Sequence, residues 1–177
     1  MNRAEFDHVV RAAALIVDDE LVLVGSQAIL AAVPDAPASL RVSDELDMYP
    51  RSHPERAIEI DAHLGAGSAF EQTFGYRAHG VGPETATPPT GWEARLIRVE
   101  VDRADGGAAV AWALEPHDLV LAKLAAARQQ DYDFAVDALR VAIVDADELT
   151  TRCAALDAEL CDAVLRRVAG VVARARS

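Results

Sequence analysis

"LVLVGSQAIL", residues 21–30, runs as four apolar residues, breaks at Gly25, and restarts as an apolar segment headed by Ser26 and Gln27. A short apolar run bounded by a turn signal reads as a buried strand, and the segment after the glycine reads as a helix. A strand passing through glycine into a helix leaves the first backbone amides unpaired and electropositive. Many α/β proteins meet a phosphate at such a junction. A serine there also serves as a plain N-cap, and at this level both readings of Ser26 stand.

Working outward, residues 3–17 place Phe6, Val9, Val10, Ala13 and Ile16 or Val17 at three- and four-residue steps, which predicts an amphipathic helix. The helix begun at Ser26 runs to Pro34, and "PDAPAS" is a loop because its prolines deny it regular structure. "LRVSDELDMYP" reads as a strand ending before Pro50. In "HPERAIEIDAHLG", Pro54 opens a helix and Gly65 lies past its end. "GYRAHGVG", "EARLIRVEV" and "AAVAWAL" read as three further strands, the last two joined by a hairpin-like turn at "DRADGG". Four helical patterns occupy the chain from residue 115, most of them opened by Asp or Glu. The expected class is α/β (α+β): a mixed sheet with flanking helices over 1–114, then a C-terminal helical bundle over 115–177, forming one compact unit without internal repeats.

Composition narrows the function classes. The 177 residues are 51% hydrophobic, enough for an Ala/Val/Leu core rather than a disordered chain. Seventeen basic against twenty-nine acidic side chains give a formal charge of −12, which disfavours a nucleic-acid partner unless a local basic patch recruits one. The basic cluster in "LRRVAGVVARARS" also suits the negative end of a helix dipole, the reading favoured at this level. Two cysteines are too few for a disulfide framework, no stretch is long and apolar enough for a membrane span, and the N-terminus is acidic; the expectation is a soluble, cytoplasmic protein. The five histidines are scattered without helical metal spacing, and no Walker or Gly-x-Ser-x-Gly pattern occurs.

The chemistry falls to "SDELDMYP", residues 43–50. On a strand Leu46 and Met48 point one way, Glu45 and Asp47 the other. Two carboxylates on one face, about 6.6 Å apart along the strand, suit a shared hard cation and phosphoryl-transfer chemistry. Acid-x-acid pairs are frequent in so acidic a chain, roughly five by chance. Only Glu45/Asp47 and Glu100/Asp102 fall on expected strands, and only the first comes after the Gly-Ser turn.

A strand ending in Gly-Ser, a helix, then a strand carrying acid-x-acid resembles the nucleotidyltransferase superfamily. "LEPHDLVLAKLAAARQQDYDF" is similar to the Lys-x(4)-Arg-x(2)-Asp region of abortive-infection-type (type IV toxin) nucleotidyltransferases. "DMYPRSHPERA", "GYRAHGVGPETA" and "GWEARL" resemble a related bacterial, DUF-class nucleotidyltransferase-like family. The resemblance covers about residues 15–140 and implies a nucleotidyltransferase-like fold. It also implies that Gly25 and Ser26 contact triphosphate, that Glu45 and Asp47 bind Mg²⁺ or Mn²⁺, that Lys123 neutralises phosphate charge, and that Asp131 supports it. The chain departs from the pattern in having Glu45 where Asp is usual, a longer gap after Ser26, and no obvious third strand carboxylate, for which Glu100 is a candidate. Lys123, without the resemblance, reads as a solvated helix lysine. Arg95, three residues after Trp92, reads either as a phosphate clamp or as a cross-strand partner of an acid.

Two function classes remain. One is a Mg²⁺-dependent enzyme moving a nucleotidyl group from a nucleoside triphosphate to an unidentified acceptor. The other is a catalytically degenerate scaffold of the same fold that acts through a protein partner, as a toxin–antitoxin component does.

Overall fold

The computed structural model describes all 177 residues. The chain divides into two compact units, Met1–Thr85 with Leu96–Leu114, and Ala86–Arg95 with Glu115–Ser177.

The first unit is built on a five-stranded mixed sheet: β1 (Leu21–Leu23), β2 (Glu45–Pro50), β3 (Arg77–Gly80), β4 (Ile97–Asp102) and β5 (Ala108–Ala113), in the order β3-β2-β1-β5-β4. β1 pairs antiparallel with β2 and parallel with β5, β2 pairs parallel with β3, and β4 with β5 forms the expected hairpin. One sheet face is apolar, with Leu21, Leu23, Leu46 and Met48 fully buried. Helices α1 (Arg3–Val17) and α3 (Ala57–Leu64) pack on the sheet and on each other. The stripe that predicted α1 is its buried stripe: Phe6, Val9, Val10, Ala13 and Val17 are inaccessible to solvent, each large one contributing roughly 1.5–3 kcal/mol. Asn2 starts the helix by a capping box with Glu5.

Three local expectations change. Ser26 does not cap: Gly25 occupies the N-cap position without a side-chain bond, and Ser26–Ala28 is a 3-10 turn leading into the four-residue α2 (Ile29–Ala32). β2 begins only at Glu45 and includes Pro50. Proline is tolerated because Glu20 and Arg51 carry the hydrogen bond beside the Leu21/Pro50 pair, while β3 ends its pairing at Met48. A further helix, α4 (Ala69–Phe74), capped by Ser68, lies in a segment to which the sequence pattern assigns no element.

The second unit contains α5 (Pro116–Ala126), α6 (Gln129–Arg140), α7 (Ala146–Cys153) and α8 (Ala158–Arg176), packed as a bundle around Leu119, Val120, Phe134, Leu149, Val164 and Val168. Glu115 caps α5 and Asp145 caps α7, as the acidic openings of these patterns anticipate. Segment 86–95 joins this unit through Thr90, whose N–H donates to Ala155 O, and through Arg95. No helix is long and apolar enough to cross a membrane.

Candidate functional site

The turn after β1 and the middle of β2 are locked together. Val24 N–H donates to Asp47 O at 3.0 Å, so the chain leaves β1 directly over the acidic pair. Gly25 comes next with φ of 65°, in the left-handed region, and an ideal Cβ there would lie 1.9 Å from Asp47 Oδ2. Both the backbone angle and the proximity demand glycine.

β2 alternates as expected, with Glu45 and Asp47 half-buried on the face opposite Leu46 and Met48. The parallel neighbour β3 sets Arg77 beside Glu45 and His79 beside Asp47. His79 Nδ1 lies 2.8 Å from Asp47 Oδ1. Arg77 donates through Nη2 to Glu45 Oε2 at 2.5 Å and through Nη1 to Glu71 Oε1 at 2.8 Å. Burial lowers the Arg77 pKa, yet the bonds to Glu71 and Glu45 outweigh it and hold the value above the usual range. Glu71 is held below its ordinary value, first by the Gly67 N–H and then by Arg77.

Glu45, Asp47 and His79 can each offer one ligand atom, all within 4.8 Å of one another. Two carboxylate oxygens and an imidazole nitrogen form a donor set that fits a divalent cation such as Mn²⁺ or Mg²⁺. Asp47 Oδ2 occupies the space that a side chain at position 25 would take, so the carboxylate packs directly against the turn. Beside this turn Gln27 is completely buried, and both polar atoms of its amide lack a protein partner.

Among the residues singled out by sequence, Gly25, Ser26, Glu45 and Asp47 belong to this one cluster of β1, its turn and β2. Glu100 does not: it lies on β4 at the far edge of the sheet, separated from β2 by β5 and β1, and pairs with Arg98. Lys123 and Arg95 belong to the second unit. Lys123 on α5 is 5% exposed, with Nζ 3.1 Å from Asp131 Oδ1 and 4.8 Å from the centre of the Phe134 ring. Burial pushes the Asp131 carboxyl up, but Arg128 and Lys123 prevail and keep it below the ordinary value. Arg95 forks onto Asp118, Nε to Oδ2 at 2.7 Å and Nη2 to Oδ1 at 3.2 Å, an acid that also receives Arg152 at 3.0 Å.

His79 carries no helical metal spacing because its partners come from a neighbouring strand. Its signal is the strand pairing itself. Laying "RAHG" parallel to "ELDM" puts Arg77 opposite Glu45 and His79 opposite Asp47.

Neither a curated protein nor a solved structure matches the chain. Residues 5–167, however, match the family described as nucleotidyltransferase of unknown function (DUF6036). That span includes the Gly-Ser turn, the acidic strand, His79 and the first three helices of the bundle, and the chain therefore belongs to this nucleotidyltransferase family.

Proposed function

We propose that the protein transfers a nucleotidyl group from a nucleoside triphosphate to an acceptor with the help of a divalent cation, Mg²⁺ or Mn²⁺, held by Glu45, Asp47 and His79. The observation that carries this reading is the convergence of Glu45, Asp47 and His79, whose ligand atoms lie within 4.8 Å of one another, beside the glycine turn that packs on Asp47. A cation at these donors would supply charge neutralisation for the phosphates and a lowered pKa for the acceptor hydroxyl.

The chain's own residues do the rest. Gly25 lets the Asp47 carboxylate close on the turn, and Ser26 offers an N–H and a hydroxyl to a phosphate. His79 fixes the orientation of Asp47 through their 2.8 Å contact, and Arg77 fixes that of Glu45. Lys123 and Arg95, in the second unit, are engaged by Asp131 and Asp118, and either could serve a phosphate only by giving up that contact.

One observation favours the second reading, a degenerate scaffold working through a protein partner. Arg77 already engages one Glu45 oxygen, and the third position of the cluster is an imidazole rather than a carboxylate. Calorimetry with Mn²⁺ and each nucleoside triphosphate, on wild type and Glu45→Gln/Asp47→Asn, separates the two. The enzyme shows triphosphate-dependent metal binding that the double variant loses, and releases pyrophosphate when given cell extract as a source of acceptor. Identical titrations for both proteins and no pyrophosphate select the scaffold.

A further inference from the structure

The basic C-terminal cluster has a geometry that a helix dipole does not account for. Arg174 and Arg176 fall in the last turn of α8, but Arg166 and Arg167 lie near its middle, beyond the reach of a terminal field. Arg166, Arg167 and Arg174 instead line a groove of about 460 Å³ together with Tyr132 of α6, Gly170 and Val171. We infer that this groove is a binding site for a nucleoside monophosphate, distinct from the Glu45/Asp47/His79 cluster.

Charge selects the phosphate. Arg174 is balanced by Asp133, 2.8 Å away. Arg167 uses Nη1 on carbonyls of the last turn of α5, Leu124 O at 2.7 Å and Ala125 O at 3.2 Å, which tie the side chain down and offset part of its charge without a carboxylate. Arg166 makes no hydrogen bond or ion pair with the protein and is exposed. The groove thus holds two guanidinium groups without a carboxylate partner, Arg166 with no partner and Arg167 with neutral carbonyls, on a chain of net charge −12. A phosphate monoester carries about −1.5 to −2 near neutral pH, and guanidinium groups bind its oxygens in pairs.

Shape selects a single nucleotide. The volume lies in the range of small-ligand pockets, roughly 300–1,000 Å³, and the acidic chain around it opposes a polynucleotide. Tyr132 and the flat faces of the guanidinium groups are surfaces on which a base stacks.

Gly170 is an independent pointer. It sits inside the 19-residue α8, where glycine is a poor helix former, and an ideal Cβ at this position would touch nothing within 4 Å. Packing within the protein therefore gives no reason for glycine here. In the proposed site the bare backbone at this position gives a ligand closer access to the helix.

Calorimetry in EDTA, which keeps metal from the acidic cluster, tests the site with AMP, inorganic phosphate, ribose 5-phosphate and adenosine. AMP is expected to bind wild type at least tenfold more tightly than any of the other three, and Glu45→Gln/Asp47→Asn as tightly as wild type. Arg166→Gln should weaken AMP at least tenfold with an unchanged melting temperature. Gly170→Ala should raise the melting temperature and weaken AMP, a combination that damage to the fold cannot produce. Absence of AMP binding at millimolar concentration, equal affinity for ribose 5-phosphate, indifference to Arg166→Gln, or binding of single-stranded RNA but not AMP would each overturn the assignment.

Discussion

The Asp47 carboxylate fills the space that a side chain at Gly25 would need: a Cβ would stand 1.9 Å from Oδ2 and 2.8 Å from Cγ. Gly25→Ala must displace the carboxylate, the turn, or both, on a backbone with φ of 65° that alanine resists. The expected cost is about 1–3 kcal/mol of stability, with at least a tenfold loss of Mn²⁺ affinity in the presence of triphosphate. Denaturant melts and metal titration measure the two. An alanine variant with native stability and native metal affinity would contradict the geometry.

If the proposed cation is held by His79 as well as by Glu45 and Asp47, removal of the imidazole should act on one ion more than on another. Nitrogen is a poor ligand for Mg²⁺ and an acceptable one for Mn²⁺. His79→Ala should weaken Mn²⁺ about tenfold and leave Mg²⁺ nearly unchanged. Equal losses for both ions would place the imidazole outside the coordination set and leave it only its contact with Asp47.

Acid stability should report on Glu115. This residue caps α5 through the amides of His117 and Asp118 and pairs with His117 and Arg152. Burial pushes its carboxyl up, but His117 and Arg152 pull it down from 4.5 to about 2. A depressed carboxylate stabilises the fold fully above its unfolded pKa and loses that contribution as pH falls. Stability should therefore drop between pH 4.5 and about 2, by roughly 1–2 kcal/mol from this half-buried group once solvent screening is allowed for. Glu115→Gln should be less stable at neutral pH and lose less over that interval in chemical melts at stepped pH.

Lys123 separates structure from chemistry. Removing one member of a buried pair typically costs about 3–5 kcal/mol, so Lys123→Met should destabilise the bundle through Asp131. Adding Asp131→Leu should restore part of the loss. Triphosphate affinity of the rescued double variant then decides the matter: a native value makes Lys123 structural, and a fall of tenfold or more makes it a phosphate ligand.

How much of the fold and its centre is legible in the chain depends on the range of the interactions concerned. Phe6, Val9, Val10 and Ala13 disclose α1 because helical periodicity is written into neighbouring residues. The same holds for the alternation that puts Glu45 and Asp47 on one face. Helix α4 stays hidden because six residues cannot display a period; its Phe70 and Phe74 stack with His8 and Tyr76, and His8 is remote in sequence. The fit of Gly25 against Asp47 and the arrival of His79 depend on strand register, which no local pattern encodes. Arg95 illustrates the opposite limit: read on a strand, as a phosphate clamp or the partner of an acid, it ends a 3-10 turn, Trp92–Arg95, and the acid it meets, Asp118, is brought up only by folding.

The position of β3 at the sheet margin ties the candidate site to motion. Four residues long and hydrogen-bonded to the sheet on one side only, β3 carries both His79 and Arg77. Its amides should exchange with solvent sooner than those of β1, which is flanked on both sides. A ligand gripping His79 and Asp47 together would act as a rivet between β3 and β2. It would slow exchange along the margin by a factor that grows with ligand concentration over its dissociation constant, so that the rhythm of one peripheral strand reads out the occupancy of the whole centre.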